Sequence, residues 1–357
     1  MLDDATTSPH LWLRHETKAH EQRSPLTPEG ARQLIHSGFA VTVERMAHRI
    51  FPDSQYAQAG CQLAPPNGWL NAPENAWILG LKELPGDTVP LRHRHVYFAH
   101  AFKGQGHARS LLRRFKQGKG ALFDLEYLVD ENRRRVAAFG TWAGYVGASL
   151  ALAAWAARDQ GRSLPPLPAF SRQSELDRWV SQALQAVAGK PSLLIMGAKG
   201  RCGAGARDCL ATHQLSATLW DLQETRDGGP FDAILSHDIL LNCVLVSGAT
   251  HPFLTLDQLS RSQSPLIIGD ISCDPDHPAN PLPVYRSLTS ISTPIAAIPH
   301  TNASIIAIDH LPTLLPRESS DEFAGQLLPH LKDLPRLTFP WRQAQGHFQR
   351  SLETIAT

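Results

Sequence analysis

The chain has 357 residues, enough for two domains, and 42% of them are apolar against 19% charged, so a sizeable core forms and general disorder is excluded. A formal net charge of +1 gives no global argument for nucleic acid or for an acidic membrane. The five cysteines, Cys61, Cys202, Cys209, Cys243 and Cys273, lack zinc spacing, and residues 1–8 are polar and acidic rather than signal-like, so no metal and a reducing cytoplasm are expected.

Residues 11–14 read as a first strand. Thr27 is placed to cap a helix, Pro28 suits its first position, residues 31–36 continue it and Gly38 stops it. Residues 39–43 alternate like a strand and 56–60 look like a helix end. Further strands are expected at 76–79, 95–99 and 121–123, with a helix over 111–118, which makes an alternating α/β pattern. Polar clusters recur just past these strands: Lys18 with Arg23, Lys82 with Glu83, His100 with Lys103, Asp124 with Glu126. Ligands of open α/β sheets gather beyond the carboxyl ends of strands, although each of these residues taken singly also reads as a solvated loop charge or a satisfied histidine.

Residues 136–157 carry no charge. Their length suits a bilayer, but alanine dominates, with Gly140, Gly144 and Gly147 and few large aliphatics, so a helix buried between two domains is expected instead. Residues 160–174, with Pro165, Pro166 and Pro168, read as a surface loop, and 176–187 as a helix. The apolar run 192–196 then meets a turn with Gly197, Gly200 and Gly203, and a helix is expected over 206–213. Glycines there let the backbone approach a pyrophosphate, whose charge a following helix N-terminus favours. The spacing Gly-x-x-Gly-x-x-Gly departs from the usual Gly-x-Gly-x-x-Gly, so a ligand-free turn is the alternative. A second strand, 216–220, ends in Asp221, where a ribose-binding carboxylate belongs. Further strands are expected at 238–246, 265–271 and 305–308, and helices at 321–331 and 343–355 that return to the first domain.

Several blocks occur in a telling order: Leu13-Arg14-His15-Glu16-Thr17-Lys18, Arg23-Ser24-Pro25-Leu26-Thr27-Pro28, Gly80-Leu81-Lys82-Glu83, Phe98-Ala99-His100, Asp124-Leu125-Glu126-Tyr127, Gly200-Arg201-Cys202-Gly203, Trp220-Asp221 and Ile308-Asp309-His310-Leu311-Pro312. Together they resemble the NAD-dependent, lysine-forming saccharopine dehydrogenases, within the wider alanine dehydrogenase and transhydrogenase superfamily. The resemblance implies an α/β fold of two Rossmann-like domains with parallel sheets and an active-site cleft between them. Residues 1–138 with the C-terminal helix 321–357 would form the substrate and catalytic domain, and 139–320 the NAD-binding domain, with the small-residue helix as hinge.

The implied reaction takes saccharopine, NAD and water to L-lysine, 2-oxoglutarate and NADH. The implied partners are these small molecules, with no nucleic acid, no membrane and a monomeric chain. The resemblance makes Lys82 the proton acceptor and His100 a second acid/base, with Glu83 and Glu126 as acidic neighbours. It gives Arg23 and Arg135 to the substrate carboxylates, and adds Lys18, Gln105, Phe139, Ser272, Cys273 and Asp274 to the substrate set. For NAD it gives Arg134, Gly200, Arg201, Asp221, Thr225, Leu245, Ile271, Ile308, Asp309, His310 and Leu311. Cys202 in the glycine turn and Cys243 at a neighbouring strand end, both carried by the family this chain resembles, are expected at the cofactor mouth, either as two buried reduced thiols or as a disulfide that would hinder NAD. His15 departs from the small residue expected there. An alanine dehydrogenase-like enzyme and a non-catalytic NAD-binding regulator are the alternatives.

Overall fold

The computed structural model describes residues 8–18, 20–102, 107–244 and 251–354. The chain forms two compact units, Met1–Ala138 with Ser319–Thr357, and Phe139–Glu318.

Unit one contains β1 (His10–Leu13), α1 (Pro28–His36), β2 (Ala40–Glu44), α2 (Asp53–Gln58), β3 (Gln62–Ala64), β4 (Trp77–Leu79), β5 (Arg94–Tyr97), α3 (Ala108–Gly118) and β6 (Ala121–Asp124). Its sheet is parallel, in the order β3-β2-β1-β4-β5-β6. The chain winds outward from β1 to β3, then returns to β4 on the other side of β1. That reversal is the topological switch point of an open sheet, where a crevice opens beyond the strand ends. The local chemistry of α1 is as expected: the Thr27 hydroxyl accepts from Gly30 N–H at 3.0 Å, Pro28 opens the helix, and Gly38 takes a φ of 90°. The strand β3 was not foreseen, because three residues carry no readable period.

Unit two contains α4 (Gly140–Asp159), α5 (Gln173–Gln185), β7 (Leu193–Met196), α6 (Arg201–Thr212), β8 (Thr218–Trp220), α7 (Leu222–Thr225), β9 (Ile239–Asn242), α8 (Leu256–Arg261), β10 (Leu266–Asp270), β11 (Ala296–Ala297) and β12 (Ala303–Ile306). The sheet order is β11-β12-β10-β9-β7-β8, parallel except for the edge strand β11, and its switch point lies between β7 and β9. Every residue of β7, β9 and β10 is buried, as continuous apolar strands covered on both faces require.

The uncharged helix is α4, and its small residues let it pack closely inside unit two. A Cβ on Gly144 would overlap the Cys202 carbonyl, and one on Gly205 would overlap that of Thr141, so α4 and α6 pack backbone to backbone. The unit boundary precedes α4, and residues 144–156 of the helix belong to the core of unit two. No helix among the described residues is long and apolar enough to cross a membrane. The proline-rich segment 160–174 runs over the surface as expected, with Pro165, Pro166 and Pro168 exposed. Its prolines prevent helix, but Leu164, Leu167 and Phe170 are buried, and backbone bonds from Leu167 to Ile291 and from Phe170 to Leu314 strap it down at 2.8 Å each.

The chain ends in α9 (Pro316–Lys332) and α10 (Phe339–Glu353). In unit one Ser320 Oγ accepts from Ser24 N–H at 2.9 Å, and fully buried Trp341 packs on Trp77 and Phe123. The C-terminal segment thereby completes the core of unit one.

Candidate active site

The ends of β1, β4, β5 and β6 carry the charged residues of unit one. One carboxylate joins three of the expected residues: Glu83 lies 2.8 Å from Lys18 Nζ and 2.6 Å from His100 Nδ1. Burial opposes the charge on Glu83, but the bonds from His100 and Lys18 hold its carboxyl far below the usual range. The bond to Glu83 raises His100 above the ordinary imidazole value despite burial, and Asp124 and Glu126 reinforce it. Lys82 is half-buried, and its amine moves the other way: burial lowers it, the Arg23 guanidinium lowers it further, and Glu21 and Glu83 oppose. The cluster therefore holds one amine made less basic beside one imidazole made more basic, the combination that acid/base work near neutral pH needs.

Arg23 is buried and gripped side-on by Glu21, with Nε–Oε1 at 2.8 Å and Nη2–Oε2 at 2.6 Å. A planar guanidinium held this way is oriented before any substrate arrives. Glu126 follows β6, where its N–H is accepted by Asp124 Oδ1 at 2.9 Å. Burial pushes the Asp124 carboxyl up to about 6. Arg134 and Arg135 follow on an exposed hairpin, whose turn Asp130 braces by accepting from the N–H groups of Asn132 and Arg134. His15 is tied to buried Glu44 at 2.7 Å, and Glu44 also accepts from Trp12, Asn67 and Trp69, so the unexpected histidine anchors strand ends. Gln105, Lys103 and Leu245 lie outside the described residues.

In unit two the glycine turn links β7 to α6. Gly197 adopts a φ of 78°, Gly200 is the N-cap, and a Cβ on Gly203 would overlap the Gly197 carbonyl. The helix begins at Arg201, five residues ahead of the expected start, because the glycines already belong to its first turn. No side chain caps that turn, which leaves a positive helix end for an anion. Asp221 ends β8, and its carboxylate accepts from Lys199 N–H at 2.8 Å and Leu222 N–H at 2.9 Å. Thr225 donates to the Asp221 carbonyl at 3.0 Å.

Phe139 opens α4. Ile271, Ser272, Cys273 and Asp274 follow β10, beside buried Asp270, which accepts from Asn242 at 2.9 Å and from Tyr285 at 2.7 Å. The 305–308 strand ends at Ile306, so Ile308 and Asp309 lie beyond it. The side chains of Ile308 and Leu311 are core, 1% and 2% exposed, so backbone is what they offer a ligand. Asp309 and His310 hydrogen-bond to each other. Cys202 and Cys243 are free thiols within hydrogen-bonding reach, and that bond together with burial raises the Cys243 thiol well above its usual value. Among the described residues, no group of three or more His, Cys, Asp or Glu side chains is placed to hold a metal.

Arg14, Glu16, Glu21 and Asp270 were visible in the sequence only as letters within motifs or strand ends. For Arg14 and Glu16 the signal is a dense run of charges directly after β1, whose two leucines are buried.

The description "Alanine dehydrogenase/PNT, N-terminal domain" matches residues 12–146. A saccharopine dehydrogenase (NAD(+), L-lysine-forming) from Yarrowia lipolytica is 41% identical, covering 97% of this chain and 98% of that protein. One of the same name from Candida glabrata is 42% identical, covering 95% and 96%. Among solved structures, an L-alanine dehydrogenase matches with a TM-score of 0.68 at 16% identity, covering 97% of this chain and 100% of that one. A transhydrogenase from Sinorhizobium meliloti matches at 0.67 and 14%, covering 94% and 97%. These two likenesses agree with two Rossmann-like α/β units. The two fungal relatives, similar from end to end, decide the family: the chain belongs to the saccharopine dehydrogenases (NAD(+), L-lysine-forming).

Proposed function

We infer that the protein catalyses the reversible conversion of saccharopine, NAD and water to L-lysine, 2-oxoglutarate and NADH. The observation that carries this reading, in a chain of this family, is Lys82 made less basic beside a His100–Glu83 pair at the strand ends of unit one. Unit one is the substrate and catalytic domain, and unit two binds NAD.

Saccharopine is a secondary amine bearing three carboxylates. Its nitrogen must be unprotonated before hydride leaves the neighbouring carbon, and Lys82 accepts that proton. The imine then adds water and collapses to the amine and the keto acid. His100, kept readily protonated by Glu83, gives and takes protons in these steps. Arg23, oriented by Glu21, and Arg135 bind substrate carboxylates, which guanidinium forks match bidentately. Lys18 balances the charge of Glu83. Gln105, Phe139, Ser272, Cys273, Asp274 and Glu126 complete the substrate set.

The residues of unit two fit a dinucleotide. Gly203 admits no side chain at the turn, α6 opens without a side-chain cap, and a carboxylate ends the next strand. Bound NAD supplies the hydride acceptor. Gly200 and Arg201 hold its pyrophosphate, and Asp221 accepts ribose hydroxyls while repelling a 2′-phosphate. Thr225, Ile271, Asp309, His310, the backbone at Ile308 and Leu311, Leu245 and Arg134 complete the cofactor set. The protein's five cysteines are all free, which suits a reducing cytoplasm.

The test follows NADH absorbance with L-lysine plus 2-oxoglutarate, against pyruvate plus ammonia. Oxidation with the first pair is expected. Oxidation with the second pair alone overturns the reading in favour of an alanine dehydrogenase-like activity.

A further inference from the structure

We propose that the buried Arg14–Glu16 ion pair is the positioning device of Lys82, gripping the peptide groups on both sides of its Cα. The proposal rests on the reading of Lys82 as proton acceptor and names what sets that lysine in place.

Both side chains leave the end of β1 and are almost fully buried, at 2% and 3% exposure. They reach across to the loop that follows β4. Glu16 Oε1 accepts from Leu81 N–H at 2.7 Å, and Glu16 Oε2 accepts from Lys82 N–H at 3.0 Å. Arg14 Nη2 donates to the Lys82 carbonyl, while Arg14 Nη1 lies 3.4 Å from Glu16 Oε2. The peptides entering and leaving Lys82 therefore end on the same ion pair. Arg14 N–H also bonds the Leu79 carbonyl at 2.9 Å, which locks the two strand ends in register.

Two features show that the arrangement is built rather than incidental. A Cβ at Gly80 would overlap the Arg14 guanidinium, so the glycine before Leu81 and Lys82 makes room for the brace. The guanidinium also lies 5.4 Å over the Tyr97 ring, which fixes it from β5. Two adjacent N–H groups aimed at one point need a two-oxygen acceptor, and a carboxylate is the side chain that supplies it without a donor of its own. A buried ion pair is a weak source of stability compared with apolar packing, so orientation is the better account of why charge is placed here. Lys82 has a long, flexible side chain, and backbone drift at its root moves its amine relative to the substrate nitrogen. Misplacement by about 1 Å can cost about 100-fold in rate.

The test is a cycle in the full-length protein: Glu16→Gln, Lys82→Met and the double variant, with kcat and KM for saccharopine and the dissociation constant for NADH measured by fluorescence. Glu16→Gln is expected to lower kcat about 100-fold while NADH affinity stays within about twofold. In the Lys82→Met background the same change is expected to cost less than about twofold, because the residue being positioned is gone. An undiminished loss in that background, or an unaltered kcat in Glu16→Gln alone, overturns the proposal. Full turnover by Lys82→Met instead removes the underlying reading of Lys82, and the two failures are thereby distinct. If Glu16→Gln does not fold, Gly80→Ala displaces Arg14 from the other side and is judged by the same cancellation.

Discussion

At the β1/β4 switch point of unit one, the crevice is walled by charge: Arg14 with Glu16, Glu21 with Arg23, and Glu83 shared by Lys18 and His100. At the β7/β9 switch point of unit two, it is walled by missing side chains and thiols: Gly197, Gly200, Gly203, Cys202 and Cys243. The same topology thus opens two crevices of opposite character. The first has to orient carboxylates and set proton affinities, which needs charged groups held rigidly by other charged groups. The second has to bring backbone N–H groups against an anion, which needs Cβ atoms removed. Damage to unit one is therefore expected to act through charge and pH, and damage to unit two through volume.

The largest effect is expected from Glu21→Ala, which strips both carboxylate oxygens from buried Arg23. Breaking such a pair costs about 3–5 kcal/mol, read as a lower denaturant midpoint, and KM for saccharopine is expected to rise with it. A variant as stable as the parent would break the claim that charge frames this crevice.

Asp124→Asn separates charge from shape in the same unit. The Asp124 carboxyl is raised from 3.8 to about 6 in the folded protein, so the fold binds this proton more tightly than the unfolded chain does. Stability is then lost as pH climbs from the lower value through the higher one, by about 3 kcal/mol once ionisation is complete. The asparagine variant escapes that loss. Its stability relative to the parent should rise between about pH 4 and pH 6 and level off above. A pH-independent difference in thermal melts would contradict the assignment.

Gly203→Ala carries the comparison into unit two. Its methyl group meets the Gly197 carbonyl and the Ala198 backbone, and neither is a flexible side-chain end. Overpacking of this kind costs about 1–3 kcal/mol. Isothermal titration is expected to show NAD binding weakened by about tenfold or more, with KM for saccharopine unchanged. Loss on the saccharopine side alone would reverse the assignment of the two crevices.

The smallest effect is expected from the thiol pair. Oxidation that joins Cys202 to Cys243 would draw the first turn of α6 toward the end of β9 and weaken NAD binding by about threefold to tenfold. Cys243→Ser removes the response. Equal NAD affinity in the oxidised and reduced parent would exclude a redox role.

Much of this was legible locally. Thr27, Pro28 and Gly38 delimit α1 by short-range capping chemistry, and the run Leu193–Met196 declares a buried strand because both of its faces must be apolar. Lys82, Glu83 and His100 stood out as polar groups just past strand ends. The partners of those residues were not legible. Glu16 meets Leu81 across 65 positions of sequence, and the contact exists because β1 lies beside β4. The glycines of α4 mark a face that other backbone can approach closely, but composition does not say that α6 is what approaches it. The prolines of residues 160–174 announced non-helical backbone, yet the burial of Leu164, Leu167 and Phe170 depends on a core assembled from distant elements.

The sequence by itself determined the alternation of strands and helices, the glycine turn with Asp221 beyond it, and the kinds of side chain at the strand ends. Each of these follows from preferences acting over a few residues. Only the tertiary structure decided which charges pair, which amine loses basicity, and which glycines are obligatory. Those outcomes depend on burial and on distances of a few ångströms between groups far apart in the chain, where Coulomb and packing terms are steepest.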